Sequence, residues 1–154
     1  MNATQKAWLD GMVPAAKASE EAFGVPAAVT LAQCILESGW GQTHLAQQAN
    51  NFFGIKAEHR DDPNSYVEFP TAEYEHGSRV MVEAEFEKYP DVEASFRDHA
   101  RLLAVAPRYA PAMAVKADPA AFCTELQACG YSTAPTYAEM LTTLIADYAL
   151  QQYD

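Results

Sequence analysis

The chain has 154 residues, a length typical of one domain, and 49% of them are apolar, which suits a packed core and excludes a disordered chain. Acidic side chains outnumber basic ones by 21 to 10, and the formal net charge of −11 disfavours binding to nucleic acids or anionic lipid. No stretch reaches the roughly 18 apolar residues that a membrane helix needs. We therefore expect one domain over residues 1–154, a monomer with no nucleic-acid partner and no membrane insertion.

The N-terminus does not predict a signal peptide, and the cysteines and histidines do not predict a metal site. Residues 1–6 lack a basic segment followed by an apolar one, as a signal peptide requires. The odd number of cysteines, without zinc-site spacing, favours small buried thiols in a reduced interior. Residues 61–65 lack the alternating oxygen ligands of a calcium loop. The remaining candidates are scattered: Cys34, Cys123, Cys129, His44, His59, His76 and His99, of which His99 is expected to be structural. We predict no metal and no cofactor.

Two helices are predicted in the first third of the chain. Apolar residues at helical spacing run from about Thr4 to Phe23, where Gly24 fits a C-terminal cap and Pro14 predicts a bend or a break. A second helix begins at Pro26, is apolar on most faces, and ends before the glycines at 39 and 41.

The period then changes to that of a hairpin, and helices resume after it. Alternating apolar residues predict strands over 67–74 and 79–86, joined through residues 75–78. Asp91 fits the cap of a helix with an apolar face, Asp118 begins another that ends at Gly130, and Thr136 with Glu139 fits a capping box before a last helix. The fold class predicted is α+β, predominantly helical, with one inserted β-hairpin.

Glu37 is the most informative position for chemistry. It follows an apolar run at the C-terminal end of the second helix, where desolvation and the helix dipole both raise a carboxyl pKa. A carboxyl protonated near neutrality can act as a general acid. Gly39 and Gly41 allow the close backbone approach of a groove wall, and Trp40 offers an apolar face. From these residues alone, a solvated Glu at a helix end is an equally good interpretation.

Glu73 on the predicted hairpin is a candidate second carboxylate. Glycoside hydrolysis generally uses two carboxyl groups, one as acid and the other as base or nucleophile. Periodicity does not distinguish Glu73 from the other acidic residues of this region, which are Glu68, Glu75, Glu83, Glu85 and Glu87.

Several motifs in order resemble the glucosaminidases of glycoside hydrolase family 73. Residues 25–42 resemble the family's active-site helix, and Asn-Asn-Phe-Phe-Gly-Ile-Lys at 50–56 is similar to its Asn-Asn-Leu-Phe-Gly-Ile-Lys. Pro-Thr-Ala-Glu-Tyr at 70–74 resembles its Thr-Thr-Glu-Tyr hairpin, and residues 94–100 and 130–138 complete the set. The chain departs from the family pattern at Ala134, where Asp is frequent, so inferences about that loop are weaker.

The resemblance implies a lysozyme-like domain over residues 1–154, with the hairpin beside a cleft. It implies cleavage of the β-1,4 bond between N-acetylglucosamine and N-acetylmuramic acid in peptidoglycan glycan strands. Glu37 would be the catalytic acid, Glu73 the second carboxylate, and Tyr131 a catalytic tyrosine of the cleft. Expected substrate-binding residues, most of them through sugar stacking, are Trp40, Asn51, Phe53, Tyr74 and Tyr137.

Two alternatives stay open at this stage. One is a non-catalytic peptidoglycan-binding module, and the other is a muramidase or lytic transglycosylase on the same scaffold. The substrate lies in the periplasm or cell wall, so without a visible signal peptide we expect release by a holin, delivery by a secretion machine, or a place in a larger protein.

Overall fold

The fold is mostly helical, as predicted, with helix over 58% of the chain and one antiparallel hairpin. The computed structural model describes residues 1–58 and 61–154, apart from the side chains of residues 73–75. His59 lies outside the described residues. The helices are α1 (Ala3–Phe23), α2 (Ala27–Ser38), α3 (His44–Ala49), α4 (Val92–Val105), α5 (Ala110–Ala114), α6 (Pro119–Ala128) and α7 (Tyr137–Asp147), with 3-10 turns at Pro107–Tyr109 and Leu150–Tyr153.

Helix α2 lies at the centre of the molecule, and ten of its twelve residues are buried. It packs against α1, α6, α7 and the C-terminal 3-10 turn. Because Pro26 offers no side-chain acceptor at its N-terminus, Asp154 Oδ1 accepts the Ala28 N–H at 2.7 Å instead. The apolar run of the sequence therefore forms a core helix enclosed on most sides.

Helix α1 runs unbroken through Pro14, so the predicted break is absent. Pro14 and Asp10 are both exposed, so the carbonyl left without a partner by the proline can be hydrated. Gly24 ends the helix in the left-handed conformation with φ 75°, as the sequence predicts. Packing of α1 against α2 and α4 compensates for the missing hydrogen bond.

The hairpin consists of β1 (Tyr66–Glu75) and β2 (Ser78–Glu87), between α3 and α4. His76 and Gly77 form its two-residue turn with φ of 49° and 80°, the signs that a type I′ turn requires. On β2 the predicted apolar positions are only half-buried except for Phe86, at the base. The hairpin therefore projects from the helical body and is anchored at its base.

The N-terminus of α7 differs from the predicted capping box. Thr136 makes no side-chain cap hydrogen bond, because its backbone (φ −107°, ψ 15°) is not extended as a capping residue requires. The Ala138 N–H is instead accepted by Gln127 Oε1 of α6 at 2.9 Å. A tertiary contact thus replaces the expected local one.

The cysteines are free thiols, with Cys34 and Cys123 buried and Cys129 half-buried. Within the described ranges, no helix combines the length and apolarity needed to cross a bilayer.

Candidate active site

Glu37 is the penultimate residue of α2, and the backbone after it turns sharply. Gly39, Trp40 and Gly41 all have positive φ, at 55°, 60° and 73°. A Cβ at Gly41 would lie 2.5 Å from Trp8 Nε1, so this close approach requires glycine. Ser38 Oγ accepts the Gly41 N–H at 2.8 Å and donates to the Cys34 carbonyl at 2.6 Å, which fixes the turn.

A cleft of about 680 Å³ opens beside Glu37. Its walls come from the loop after α3, from α4, from the 3-10 turn before α5 and from the loop after α6. The lining residues are Glu37, Phe53, Gly54, Ile55, Lys56, Ala57, Glu58, Leu102, Arg108, Tyr109, Tyr131 and Ser132. The groove expected beside Glu37 is therefore present.

Two opposing effects act on the Glu37 carboxyl. Burial raises its pKa above the ordinary value of 4.5, and a hydrogen bond donated by Tyr137 acts in the opposite direction. Solvent nevertheless reaches the side chain from the cleft, so by accessible surface Glu37 is exposed. The two observations agree, because protein walls displace bulk water around the carboxyl while the cleft leaves one side open. The result is a carboxyl that retains its proton above the usual range and can deliver it into the cleft.

Tyr137 lies in the core, with only 1% of its surface exposed. Its hydroxyl donates to Glu37 Oε1 at 3.2 Å and accepts from Gln33 Nε2 at 2.9 Å. A covered ring cannot stack on a sugar, so the structure differs from that expectation. Tyr137 touches the candidate acid with its hydroxyl instead.

Tyr131 lies in the cleft wall and is half-buried. Its ring stacks on that of Tyr137, with centroids 5.6 Å apart and an interplanar angle of 19°. Burial raises the pKa of Tyr131 well above its ordinary value, and the nearby carboxyl of Glu37 acts in the same direction. Tyr131 is therefore a neutral phenol at the cleft, able to donate or accept one hydrogen bond.

Asn51 and Phe53 belong to the loop after α3, which contributes Phe53 to the cleft wall. Asn51 is 1% exposed; it donates to the carbonyls of Ile55 and Glu87 at 2.8 and 2.9 Å and accepts the Ile55 N–H at 3.1 Å. It thus ties the loop to the base of the hairpin, whereas substrate contact was expected. Phe53 lines the cleft but is 4% exposed, with one ring face on His99 at a centroid distance of 3.9 Å. Little of its ring is available for stacking on a sugar.

Trp40 belongs to an aromatic cluster outside the cleft. Its ring meets those of Trp8 and Tyr148 edge-on, at centroid distances of 5.6 and 5.0 Å. It is not among the described residues that line the cleft with Glu37. The sugar-stacking role expected for Trp40 is therefore not favoured by its position.

Glu73 and Tyr74 lie in β1, where their backbones pair with Val80 and Arg79 of β2. Their side chains lie outside the part of the chain that the structure describes.

Sequence reasoning missed Gln33, Arg108 and Tyr109. Gln33 carried a signal, since it is a polar residue in an apolar run, one helical turn before Glu37. Arg108 and Tyr109 carried none, because they lie between predicted helices. In the structure the Arg108 guanidinium lies 4.6 Å from the Tyr109 ring centroid and donates to the Gly130 carbonyl at 2.9 Å, which places a cation in the cleft wall.

Among the described residues, no cluster of three or more His, Cys, Asp or Glu side chains has the arrangement of a metal site.

A central buried helix ends in a protonatable glutamate beside a cleft, and the hairpin is hydrogen-bonded to the loop that forms one cleft wall. This arrangement is that of a lysozyme-like glycoside hydrolase domain. The sequence model of the glucosaminidase family, described as mannosyl-glycoprotein endo-beta-N-acetylglucosaminidase, matches residues 13–150. The chain belongs to this family, glycoside hydrolase family 73.

Individual relatives agree with this assignment. The chain is 34% identical over 155 residues to the exo-glucosaminidase LytG of Bacillus subtilis, covering 97% of this chain and 54% of LytG. It is 37% identical over 148 residues to the peptidoglycan hydrolase FlgJ of Pseudomonas aeruginosa, covering 94% and 37%. The catalytic domain of the autolysin Auto from Listeria monocytogenes superposes with a TM-score of 0.88 at 30% identity, covering 100% of this chain and 89% of that domain. The chain thus spans about half the length of LytG and just over a third of the length of FlgJ.

Proposed function

We propose that this chain hydrolyses the β-1,4 bond between N-acetylglucosamine and N-acetylmuramic acid in peptidoglycan glycan strands. The observation that carries the proposal is the Glu37 carboxyl, which has a raised pKa and lies in the wall of an open cleft. Membership of the glucosaminidase family and similarity to proteins named exo-glucosaminidase and peptidoglycan hydrolase support the substrate.

Glu37 acts as the general acid in this proposal. It gives its proton to the glycosidic oxygen as the bond to the anomeric carbon breaks, which produces a free hydroxyl on the leaving sugar and an oxocarbenium-like centre. Tyr131, a neutral phenol in the same wall, contacts the acetamido group or the attacking water. Tyr74 supplies a sugar contact from the hairpin.

Glu73 supplies the second carboxylate, as base or as stabiliser of the cationic centre. If the two carboxyls are about 6.5–9.5 Å apart, one attack by water with inversion follows. A hairpin that closes on the substrate would bring a more distant Glu73 within this range. Assistance by the substrate's own acetamido group is another possible mechanism. It retains the anomeric configuration, so the anomer of the first product distinguishes it from inversion.

The domain acts, in this proposal, in the periplasm or cell wall, where its substrate lies. Residues 1–154 form one catalytic domain that functions as a monomer. Release by a holin, delivery by a secretion machine or attachment to further domains would each bring it to that compartment.

Glu37→Gln tests the proposal directly. Glutamine keeps the shape of the side chain and removes the proton, so kcat on purified wall falls by about 100-fold or more. The measurement is release of reducing ends with identification of the terminal sugar. N-acetylglucosamine at the new reducing ends supports the proposal, and the chain length of the products separates internal from terminal cleavage.

The rival functions predict different products. New ends in N-acetylmuramic acid would indicate a muramidase, and 1,6-anhydro ends a lytic transglycosylase. Wall binding without release of ends would indicate a binding module. Near wild-type clearing by Glu37→Gln would contradict the role of Glu37 in any of these enzymes.

A further inference from the structure

Gln33 is a fully buried amide one helical turn before Glu37 on α2. Burial of an amide among apolar side chains is unfavourable unless it is hydrogen-bonded. Its Nε2 lies 2.9 Å from the Tyr137 hydroxyl oxygen, and the same hydroxyl lies 3.2 Å from Glu37 Oε1. Because residues four apart share one face of a helix, both side chains reach the same group on α7.

The chemistry of these groups fixes the direction of both hydrogen bonds. An amide nitrogen only donates, so the Tyr137 oxygen accepts from Gln33. The single phenol proton is then left for Glu37 Oε1. A phenol proton turned towards Gln33 would meet another donor.

The opposite amide orientation is less favourable. The Gln33 Oε1 atom is buried without a hydrogen-bond partner among the described residues. Exchanging the two amide atoms would place an NH2 group there with both of its N–H groups unsatisfied, whereas the present orientation satisfies one N–H and leaves the other N–H and Oε1 without a partner among the described residues. Buried N–H groups without partners are rarer in proteins than under-satisfied carbonyls, so the orientation with Nε2 on Tyr137 is preferred.

We propose that Gln33 is a positioning residue: it directs the Tyr137 proton onto Glu37 Oε1, so that the acid proton of Glu37 is carried on Oε2. This inference rests on the proposed function in that Glu37 is the general acid. An Oε1 that already accepts a hydrogen bond is a poor site for the proton, whereas Oε2 is free of Tyr137. Gln33 thereby selects which Glu37 oxygen delivers the proton, although Gln33 itself is buried and does not touch the substrate.

The chain of hydrogen bonds also strengthens the bond to the charged carboxylate. A hydroxyl that accepts one hydrogen bond becomes a better donor in the next, so Gln33 assists Tyr137 in lowering the pKa that burial raises. Among the described residues, the titratable or charged groups around the carboxyl are Tyr131 and Tyr137, with Lys56, Glu58, Arg108 and Tyr109 along the cleft.

Gln33→Met is the informative substitution, since it keeps the length of the side chain and replaces a buried amide with an apolar group. We expect the pKa of Glu37 to rise, and to rise further in Tyr137→Phe, which removes the hydroxyl. The readout is NMR titration of ¹³C-labelled glutamate, with the Glu37 signal assigned by its loss in Glu37→Gln. On purified wall, the alkaline limb of kcat/KM moves upward in the same order, and kcat at the optimum falls several-fold while KM stays unchanged.

Thr30→Val is the matched control. Thr30 lies on the same helix and its buried Oγ1 also lacks a hydrogen-bond partner among the described residues. The substitution removes a buried polar atom without touching Tyr137, so the Glu37 titration stays at the wild-type value.

The double variant Gln33→Met with Tyr137→Phe completes a cycle that isolates the coupling. Because Gln33 acts through the hydroxyl, its substitution adds nothing once the hydroxyl is gone. An equal shift with and without the hydroxyl, or no shift in Gln33→Met alone, overturns the proposal.

Gln33→Leu gives a second test that does not depend on the folding of the methionine variant. Leucine also removes the amide that donates to the Tyr137 hydroxyl and introduces no charge, so the Glu37 pKa rises as in Gln33→Met. An unchanged pKa contradicts the proposal. Since the titration needs no catalysis, a protein that fails to cleave wall refutes the proposed function while leaving this measurement valid.

Discussion

Glu37 combines solvent access from one side with desolvation from the others, and that combination has a cost in stability. Charging the carboxyl in the folded state is harder than in the unfolded chain, since burial is the largest contribution to its raised pKa. The carboxyl's open side and the bond from Tyr137 reduce this cost. The position that suits Glu37 to the proposed role of general acid thus lowers stability at neutral pH.

Glu37→Gln should therefore stabilise the fold in a pH-dependent manner. A carboxyl with a raised folded-state pKa favours folding while it is protonated, and this contribution is lost as the pH rises from 4.5 through the raised value. We expect the difference in Tm between the variant and the wild type to be small at pH 4 and to grow in favour of the variant towards neutral pH. Thermal unfolding followed by circular dichroism at several pH values measures it. A difference that shrinks with rising pH would show that the folded state lowers this pKa.

At the scale of elements, α2 and the hairpin differ in how firmly the rest of the molecule holds them. Helix α2 is enclosed by helices and places Glu37 on a rigid support. The hairpin is a two-stranded sheet with half-buried apolar positions, and its anchors at the base are the pairing of Lys56 with Phe86 and the bonds of Asn51. Two-stranded sheets are only marginally stable alone, so this element is the one suited to move on substrate binding.

A glutamate series along the hairpin tests the assignment of Glu73. If Glu73 is the second carboxylate, Glu73→Gln lowers kcat on purified wall by about 100-fold, in the range of acid–base groups. Glu68→Gln and Glu83→Gln are matched controls, because both side chains are exposed on the same hairpin. They should retain activity within about twofold, as substitutions on a solvated face usually do. Equal losses in the three variants would instead indicate a general electrostatic effect of the hairpin.

At the scale of the whole molecule, the net charge of −11 affects association with an anionic polymer. Like charges repel over about 10 Å at 0.1 M salt and over longer distances in weaker buffers. The cleft wall contains two cations, Lys56 and Arg108. Over the whole chain, however, acidic residues outnumber basic ones by 21 to 10. Long-range attraction is therefore not what brings the domain to the wall.

We expect the rate of wall digestion to rise with ionic strength. Raising NaCl from about 10 to 150 mM shortens the screening length from about 30 to 8 Å and weakens the repulsion. Turbidity clearing at limiting enzyme should therefore accelerate, whereas kcat on short glycan fragments at saturation should stay constant, because encounter does not limit it. A rate that falls with salt would indicate that local cations dominate binding.

The sequence by itself determined the five longer helices, the hairpin and the place of Glu37 at a helix end, whereas it did not predict the short helices α3 and α5. These features are encoded in local sequence patterns: the caps at Asp91 and Gly24, the apolar run of α2 and the period-two strands. Such patterns directly indicate where a helix or strand begins and ends and which of its residues are buried. The family motifs added the fold, which the structure and the comparisons confirm. Glu73 and Tyr74 remain predictions.

Only the tertiary structure decided which side chains meet. Tyr137 lies 104 residues from Gln33 and 100 from Glu37, and the packing of α7 on α2 brings the three together. Contacts between distant segments likewise bury Asn51 and Tyr137 and place Trp40 between Trp8 and Tyr148. Residue type and spacing indicate that a polar or aromatic group matters, but its hydrogen-bond partner and its access to the cleft depend on neighbours distant in the chain.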